Sequence, residues 1–251
     1  MILLVPLAAI GLLVSSQVGF SIHFRYILPL FPFAFIWASK TARALTFGNI
    51  KLACVVGLST CLSLGSSLWI FPHSLSYFNE VVGGPKYGHL HLLNSNVAWG
   101  QDLLFLKRWY DAHPQARPLH LAALGFLDPR LAGIDFVVPP PGPRSREVNI
   151  GDAAPESLGP QPGWYAVDLN FLHGARELAS GIDERPIRIT DDLGFSYFLR
   201  FEPVGHAGWS ICIYHITLDE ANNVRQQLAL PPLAGPVDSR DAQEAIRNDA
   251  R

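Results

Sequence analysis

Leu52–Phe71, LACVVGLSTCLSLGSSLWIF, is the stretch on which the reading of this chain turns. It is twenty residues long and carries no charge. A helix needs about 20 mostly apolar residues to cross about 30 Å of hydrocarbon, because backbone groups left unpaired in lipid are costly. Small residues (Gly57, Ser59, Ser63, Gly65) recur through it, as in packed membrane helices. The segment therefore reads as a membrane span.

Working outward toward the N-terminus, the chain stays apolar. Residues 1–15 read as a short first span and 26–39 as a second, flanked by Arg25 and Lys40, whose long stems can snorkel to the interfaces. Pro29 and Pro32 are expected to bend the second. A secretory signal is the competing reading of the start. The basic opening and the small-residue cleavage site it requires are absent. The fold class expected is an α-helical membrane region of about three spans, followed by a small α/β extracytoplasmic domain.

Charge supports the division. The whole chain has 251 residues, 19 Lys+Arg and 21 Asp+Glu, a net −2. No acid precedes Glu80, whereas Arg25, Lys40, Arg43 and Lys51 do, so residues 1–71 carry +4 and residues 72–251 carry −6. The basic loop around Lys40, Arg43 and Lys51 is expected to be cytoplasmic, which puts everything beyond Phe71 outside the cytoplasm. The near-neutral total argues against nucleic acid as a partner. Three cysteines exclude a disulfide scaffold. Cys54 and Cys61 read as small apolar packing residues of the span, and Cys212 stands alone in the polar part.

Beyond Pro72 the composition is mixed. Gln101–Ala112 reads as a helix with Leu103, Leu106 and Tyr110 on one face and Pro114 as its stop. Leu119–Ala123 alternates as a strand. Pro129–Gly133 reads as one helical turn capped by Asp128. The stretch 144–161 reads as irregular and mobile. Trp164–Phe171 alternates as a strand, with Tyr165, Val167, Leu169 and Phe171 on one face. Phe195–Phe201 reads as a short helix. Ser210–Ile216 is almost continuously apolar and reads as a central strand. Thr217–Glu220 fits a capping box opening a helix to about Leu228. The domain expected is 72–230, with a disordered tail over 231–251.

Residues 69–108 carry the most specific pattern: Pro72-His73-Ser74-Leu75-Ser76-Tyr77-Phe78-Asn79-Glu80, then Gly83-Gly84-Pro85, then Asn94-Ser95-Asn96-Val97-Ala98-Trp99-Gly100-Gln101-Asp102. This resembles a signature of bacterial GT-C-type membrane glycosyltransferases, the protein O-mannosyltransferase-like and lipid A aminoarabinose transferase-like enzymes. Arg25-Tyr26-Ile27-Leu28-Pro29, Pro162–Val167 and Phe201–Val204 resemble further segments of the same group, so the likeness covers most of residues 20–217. It implies a membrane lipid environment and a polyprenyl-phosphate sugar as donor. Two positions usually acidic in the group are Asn94 and Ala98 here. Any cation or hydroxyl bound by those carboxylates in relatives has lost its ligand in this chain.

The resemblance also implies a catalytic acid in an early extracytoplasmic loop. This chain has no acid before Glu80, so it looks like the C-terminal portion of such an enzyme, inactive alone unless a missing transmembrane subunit or segment completes it. No catalytic residue, metal or cofactor is assigned. The candidate substrate-binding residues are Arg25, Tyr26, Tyr77, Asn96, Trp99, Gln101 and Asp102. Arg25 suits a lipid phosphate because its planar fork donates paired hydrogen bonds, with interfacial snorkelling as the plainer reading. Trp99 suits stacking on a sugar face, and Asn96, Gln101 and Asp102 suit bonding to hydroxyls. Their plainer reading is a helix cap at Asn96 with Trp99 packed beneath. Tyr77, Phe78 and Val81 also fit an amphipathic interfacial helix. His89 and His91 fall on one side of a strand if that segment is extended, as a metal pair would, but no third ligand is in register. Gly83–Lys86 lacks P-loop spacing, and neither a G-x-S-x-G elbow nor a dinucleotide fingerprint occurs. The rival class is a non-catalytic, membrane-anchored glycan-binding or assembly module.

Overall fold

The structure is a computed structural model. It describes residues 2–16, 24–42, 48–125, 127–143, 155–173, 178–179, 187–188 and 194–234. The chain divides into two compact units, Met1–Val97 and Ala98–Arg251.

The first unit is helical. Helix α1 covers Leu4–Ser16, a 3-10 segment covers Phe24–Leu30, α2 covers Phe31–Ala38 and α3 covers Ile50–Ile70. Among the described residues α3 alone is long and apolar enough to cross a membrane, where about three spans were expected. Its 21 residues rise about 32 Å, matching a bilayer core. At 13 residues α1 reaches only about 20 Å. The expected 26–39 helix is interrupted because Pro29 lies inside the 3-10 segment and Pro32 in the first turn of α2. Neither proline has an N–H to donate, so the regular i to i−4 ladder starts only after them. Asn49 caps α3 by accepting from Leu52 N at 3.2 Å.

After α3 the chain makes 3-10 turns at Ser74–Ser76 and Glu80–Val82 and a single helical turn at Pro85–Gly88. There is no amphipathic helix at 77–81. The Phe78 ring instead lies over Gly88, where an added Cβ would come within 2.1 Å of it. His89 and His91 sit in turns following Gly88, with no strand to align them.

The second unit is built on a mixed sheet. Its strands are β1 Leu119–Ala122, β2 Phe136–Val137, β3 Gly163–Asp168, β6 Gly205–Ala207 and β7 Ile211–Ile216, in the order β2-β1-β3-β7-β6. A separate two-stranded sheet pairs β4, Leu178–Ala179, with β5, Ile187–Arg188. The first three strands of the main sheet are parallel; β7 runs antiparallel to both neighbours. Helix α4, Leu103–Ala112, buries Leu103, Leu106 and Tyr110 in a core with Leu119, Leu121, Ala166, Ile211 and Ile213. An aromatic layer includes Tyr165, Phe198 and Tyr214, with the Phe198 ring 5.0 Å and 5.3 Å from the other two. Both alternating sets of β3 are therefore buried, as a strand inside a two-faced sheet requires.

The strand expected over 164–171 ends at Asp168. Its carboxylate accepts from Asn170 N at 2.8 Å and turns Leu169–Leu172 into one helical turn. Phe195–Phe201 is a 3-10 helix over Ser196–Arg200. Two expectations carry over closely: Asp128 accepts from Arg130 N to start the turn at Pro129–Ala132, and Thr217 with Glu220 forms a reciprocal capping box on α5, Leu218–Gln227. Residues 155–161, expected to be irregular, include a 3-10 turn at Pro155–Ser157 and a buried Leu158. Of the tail expected to be disordered over 231–251, Leu233 is held by its N and O, which both bond to the Asn222 side chain; residues 235–251 lie outside the described residues, as do 144–154.

Candidate functional site

The Trp99–Asp102 motif opens α4 and turns one of its side chains away from it. Gly100 has φ +86°, and a Cβ there would lie 3.1 Å from Gly125 Cα and 3.2 Å from the Leu124 carbonyl oxygen. Only glycine permits this crossing of two backbones. Gln101 Oε1 accepts from Trp99 N at 2.7 Å, closing the turn. The Asp102 carbonyl accepts from Leu106 N at 2.9 Å, but its carboxylate makes no cap.

That carboxylate instead enters the β6–β7 turn. Asp102 Oδ2 accepts from Trp209 N at 3.0 Å, from Ser210 N at 2.9 Å and from Ser210 Oγ at 2.8 Å. Successive backbone N–H groups make an anion cradle, and here an internal carboxylate fills it. Gly208, at φ +63°, allows the close approach: a Cβ on it would lie 2.1 Å from Asp102 Cγ.

Asp168 stands at the end of β3, fully buried beside this network. Burial pushes its carboxyl up to about 7; the Asp102 charge adds to the rise, while the bond from Asn170 N opposes it. The folded value exceeds the unfolded 3.8, so the stability Asp168 contributes is complete below about pH 4 and is lost as pH rises through about 7. The loss is expected to be on the order of a few kcal/mol. Denaturant midpoints of the full chain at pH 5 and pH 8 check this. Asp168→Asn is expected to flatten the fall and to be the more stable form at pH 8.

A cavity of about 160 Å³ opens at this point. Trp99, Asp102, Asp168 and Ser210 supply its polar and aromatic wall, with Leu127 and Ile211 among its apolar lining. It holds roughly five waters' worth of space. The loop after β1 and the last residue of β3 border it, so it lies at the carboxyl ends of parallel strands, where open α/β sheets bind ligands. Trp99 is 44% exposed and its indole is accessible. Larger clefts at Tyr197–Arg200–Gln227 and at Asn222–Gln226 have no such convergence of buried carboxyls.

The seven residues expected to bind substrate fall into different settings. Trp99 and Asp102 share the cavity, and Gln101 fixes the turn between them. Asn96 does not cap α4; its Nδ2 donates to Leu93 O at 2.9 Å within the turn Asn94–Asn96. Tyr77 OH pairs with Ser66 Oγ at 3.0 Å. Arg25 and Tyr26 lie on the Phe24–Leu30 segment, and only the backbone of Arg25 is described. Asn94 has φ +63°, a conformation Asn tolerates well, and Ala98 is 1% exposed, so a carboxylate at 98 would be buried. Sequence reasoning missed Asp168 and Ser210. The signal was a lone acid at the end of an otherwise apolar alternation. Among the described residues no group of three or more His, Cys, Asp or Glu is placed to hold a metal ion.

Comparison with family models, with curated proteins and with solved structures finds no match to this chain.

Proposed function

We propose that this chain is the membrane-anchored, extracytoplasmic portion of a GT-C-type glycosyltransferase, and that its second unit holds a saccharide in the Trp99–Asp102–Asp168 cavity. The observation that carries the reading is the coincidence of two features. Trp99, Gly100 and Asp102, which belong to the 69–108 segment that resembles the GT-C group, also line the cavity at the sheet's carboxyl edge. An indole face beside carboxyl groups suits a sugar: C–H groups stack on the ring and hydroxyls donate to the oxygens. The anchor is α3. Lys40 and Arg43 precede it, Lys51 lies in its first turn, and Lys86 is the one Lys or Arg in the twenty residues after it, a bias that directs the second unit away from the cytoplasm. The donor is a polyprenyl-phosphate sugar. The catalytic acid comes from outside these residues, and the chain alone transfers nothing.

Two measurements test this. Neutral mono- and oligosaccharides titrated against the full chain in detergent are expected to shift its tryptophan fluorescence. Trp99→Ala is expected to weaken binding at least tenfold with an unchanged unfolding midpoint. Loss of folding in Trp99→Ala would favour a purely packing role. Transfer of label from a lipid-phosphate sugar by this chain alone would refute the division of labour.

A further inference from the structure

Only Ile70 of α3 is buried, so its apolar surface is uncovered on all sides. The uncovered apolar surface does not stop where the helix stops. Trp69, Phe71, Leu75, Tyr87 and Leu90 are all exposed, and Val81 is 93% exposed. These side chains are presented by a built structure. The Asn79 side chain accepts from Val81 N at 3.0 Å and Val82 N at 3.2 Å, and Gly83 closes the turn at φ +90°. Phe78 is folded inward over Gly88. The turn thus spends one large ring on its own packing and holds Val81 outward at its tip.

The segment is also folded back along α3. Ser66 Oγ pairs with Tyr77 OH at 3.0 Å and donates to the Glu80 carboxylate. Ser66 lies four residues before the end of α3, about 6 Å along the axis. The turn at 77–82 therefore sits beside the last turn of the helix. Trp69 stands in that last turn, Tyr77 reaches it through Ser66, and the Tyr87 ring lies against Gly83 of the following turn, with Lys86 Nζ 5.4 Å from the Tyr87 ring centre. Aromatic residues with an apolar body and a polar tip collect at the headgroup level of a bilayer.

We propose that residues 69–92 form a collar lying in the outer headgroup layer of the membrane, with Val81 as its inserted tip and the Ser66–Tyr77–Glu80 contact setting its depth. This rests on the reading that α3 spans the bilayer. Lipid is the occupant because the patch continues the surface of α3 and mixes aromatic belt residues with one Lys and one Glu, a nearly neutral edge suited to zwitterionic headgroups.

The test uses the full chain in phosphatidylcholine nanodiscs whose lipids carry a photoactivated carbene source, placed either at the headgroup or at the acyl-chain midpoint. Peptide mass mapping is expected to find midpoint label within 52–66 and headgroup label at Leu75, Val81 and Leu90. Val81→Asp is expected to lower the headgroup label on Leu75 and Leu90 several-fold while the midpoint label on α3 stays the same. Midpoint label on α3, with 71–92 reached only by a water-borne reagent, overturns the collar and leaves the span standing. Absence of lipid-borne label from both regions overturns the collar and the span together.

Discussion

Arg225→Ala is expected to destabilise the second unit by about 3–5 kcal/mol, enough to unfold a marginal domain. The guanidinium is fully buried in α5. Nε donates to Pro231 O at 2.7 Å, Nη1 to Leu158 O and to Pro160 O at 3.3 Å, and Nη2 to Pro155 O at 3.0 Å. All four acceptors are backbone carbonyls on segments with little regular structure. One side chain thus replaces the ladder that a strand or helix would provide. Removing it strands the carbonyls of the buried Leu158 and Pro160 at once, each costing about 1–3 kcal/mol. Arg225→Lys is expected to recover only part of the loss, because an ammonium cannot match the planar fork. Denaturant midpoints of the full chain check this. A shift under about 1 kcal/mol for Arg225→Ala would show that the carbonyls find other donors.

Gly208→Ala is expected to cost about 3–4 kcal/mol, and most of that cost to vanish when Asp102 is also Ala. The new methyl has no space beside the Asp102 carboxylate, and the backbone there is left-handed. The turn must open or the carboxylate must leave the three donors of Trp209 and Ser210. Asp102→Ala alone uncovers the same donors, at about 2–3 kcal/mol. In the double variant the steric conflict is gone and only the φ penalty of about 1 kcal/mol is added to it. The four unfolding free energies should therefore show a coupling of at least about 1 kcal/mol. Strict additivity would mean that turn and carboxylate are held independently.

What was legible in the sequence was local. The Thr217–Glu220 capping box, the Asp128–Pro129 turn and the apolar run of β7 each follow from neighbours a few residues apart, and the structure has all three. The run of twenty uncharged residues is equally local, and the structure has a continuous helix over it, α3. In the second apolar stretch Pro29 and Pro32 were legible as a bend, but not that the chain ahead of Phe31 takes a 3-10 form instead of continuing the helix. The end of β3 misled because Asp168 continues the alternation while its carboxylate caps a helical turn. The cavity was half legible. Trp99, Gln101 and Asp102 are one motif, but Ser210 and Asp168 reach Asp102 from 108 and 66 positions away along the chain. No spacing rule connects them. The Arg225 clamp was invisible for the same reason: its acceptors are carbonyls, which every residue has.

The sheet's outermost strands are very short, with β2 two residues long and β6 three. An open edge offers its unpaired N–H and C=O groups to any passing strand, which is how soluble chains begin to aggregate. Here Pro139, Pro140, Pro141 and Pro143 follow β2 almost directly, and none has an N–H to give. At the other edge β6 lies just after Pro203 and ends at the tight turn of Gly208. Edges this short and this poor in donors leave a second copy of the sheet little to pair with, so a crowded solution of the protein has few templates for growing a shared sheet.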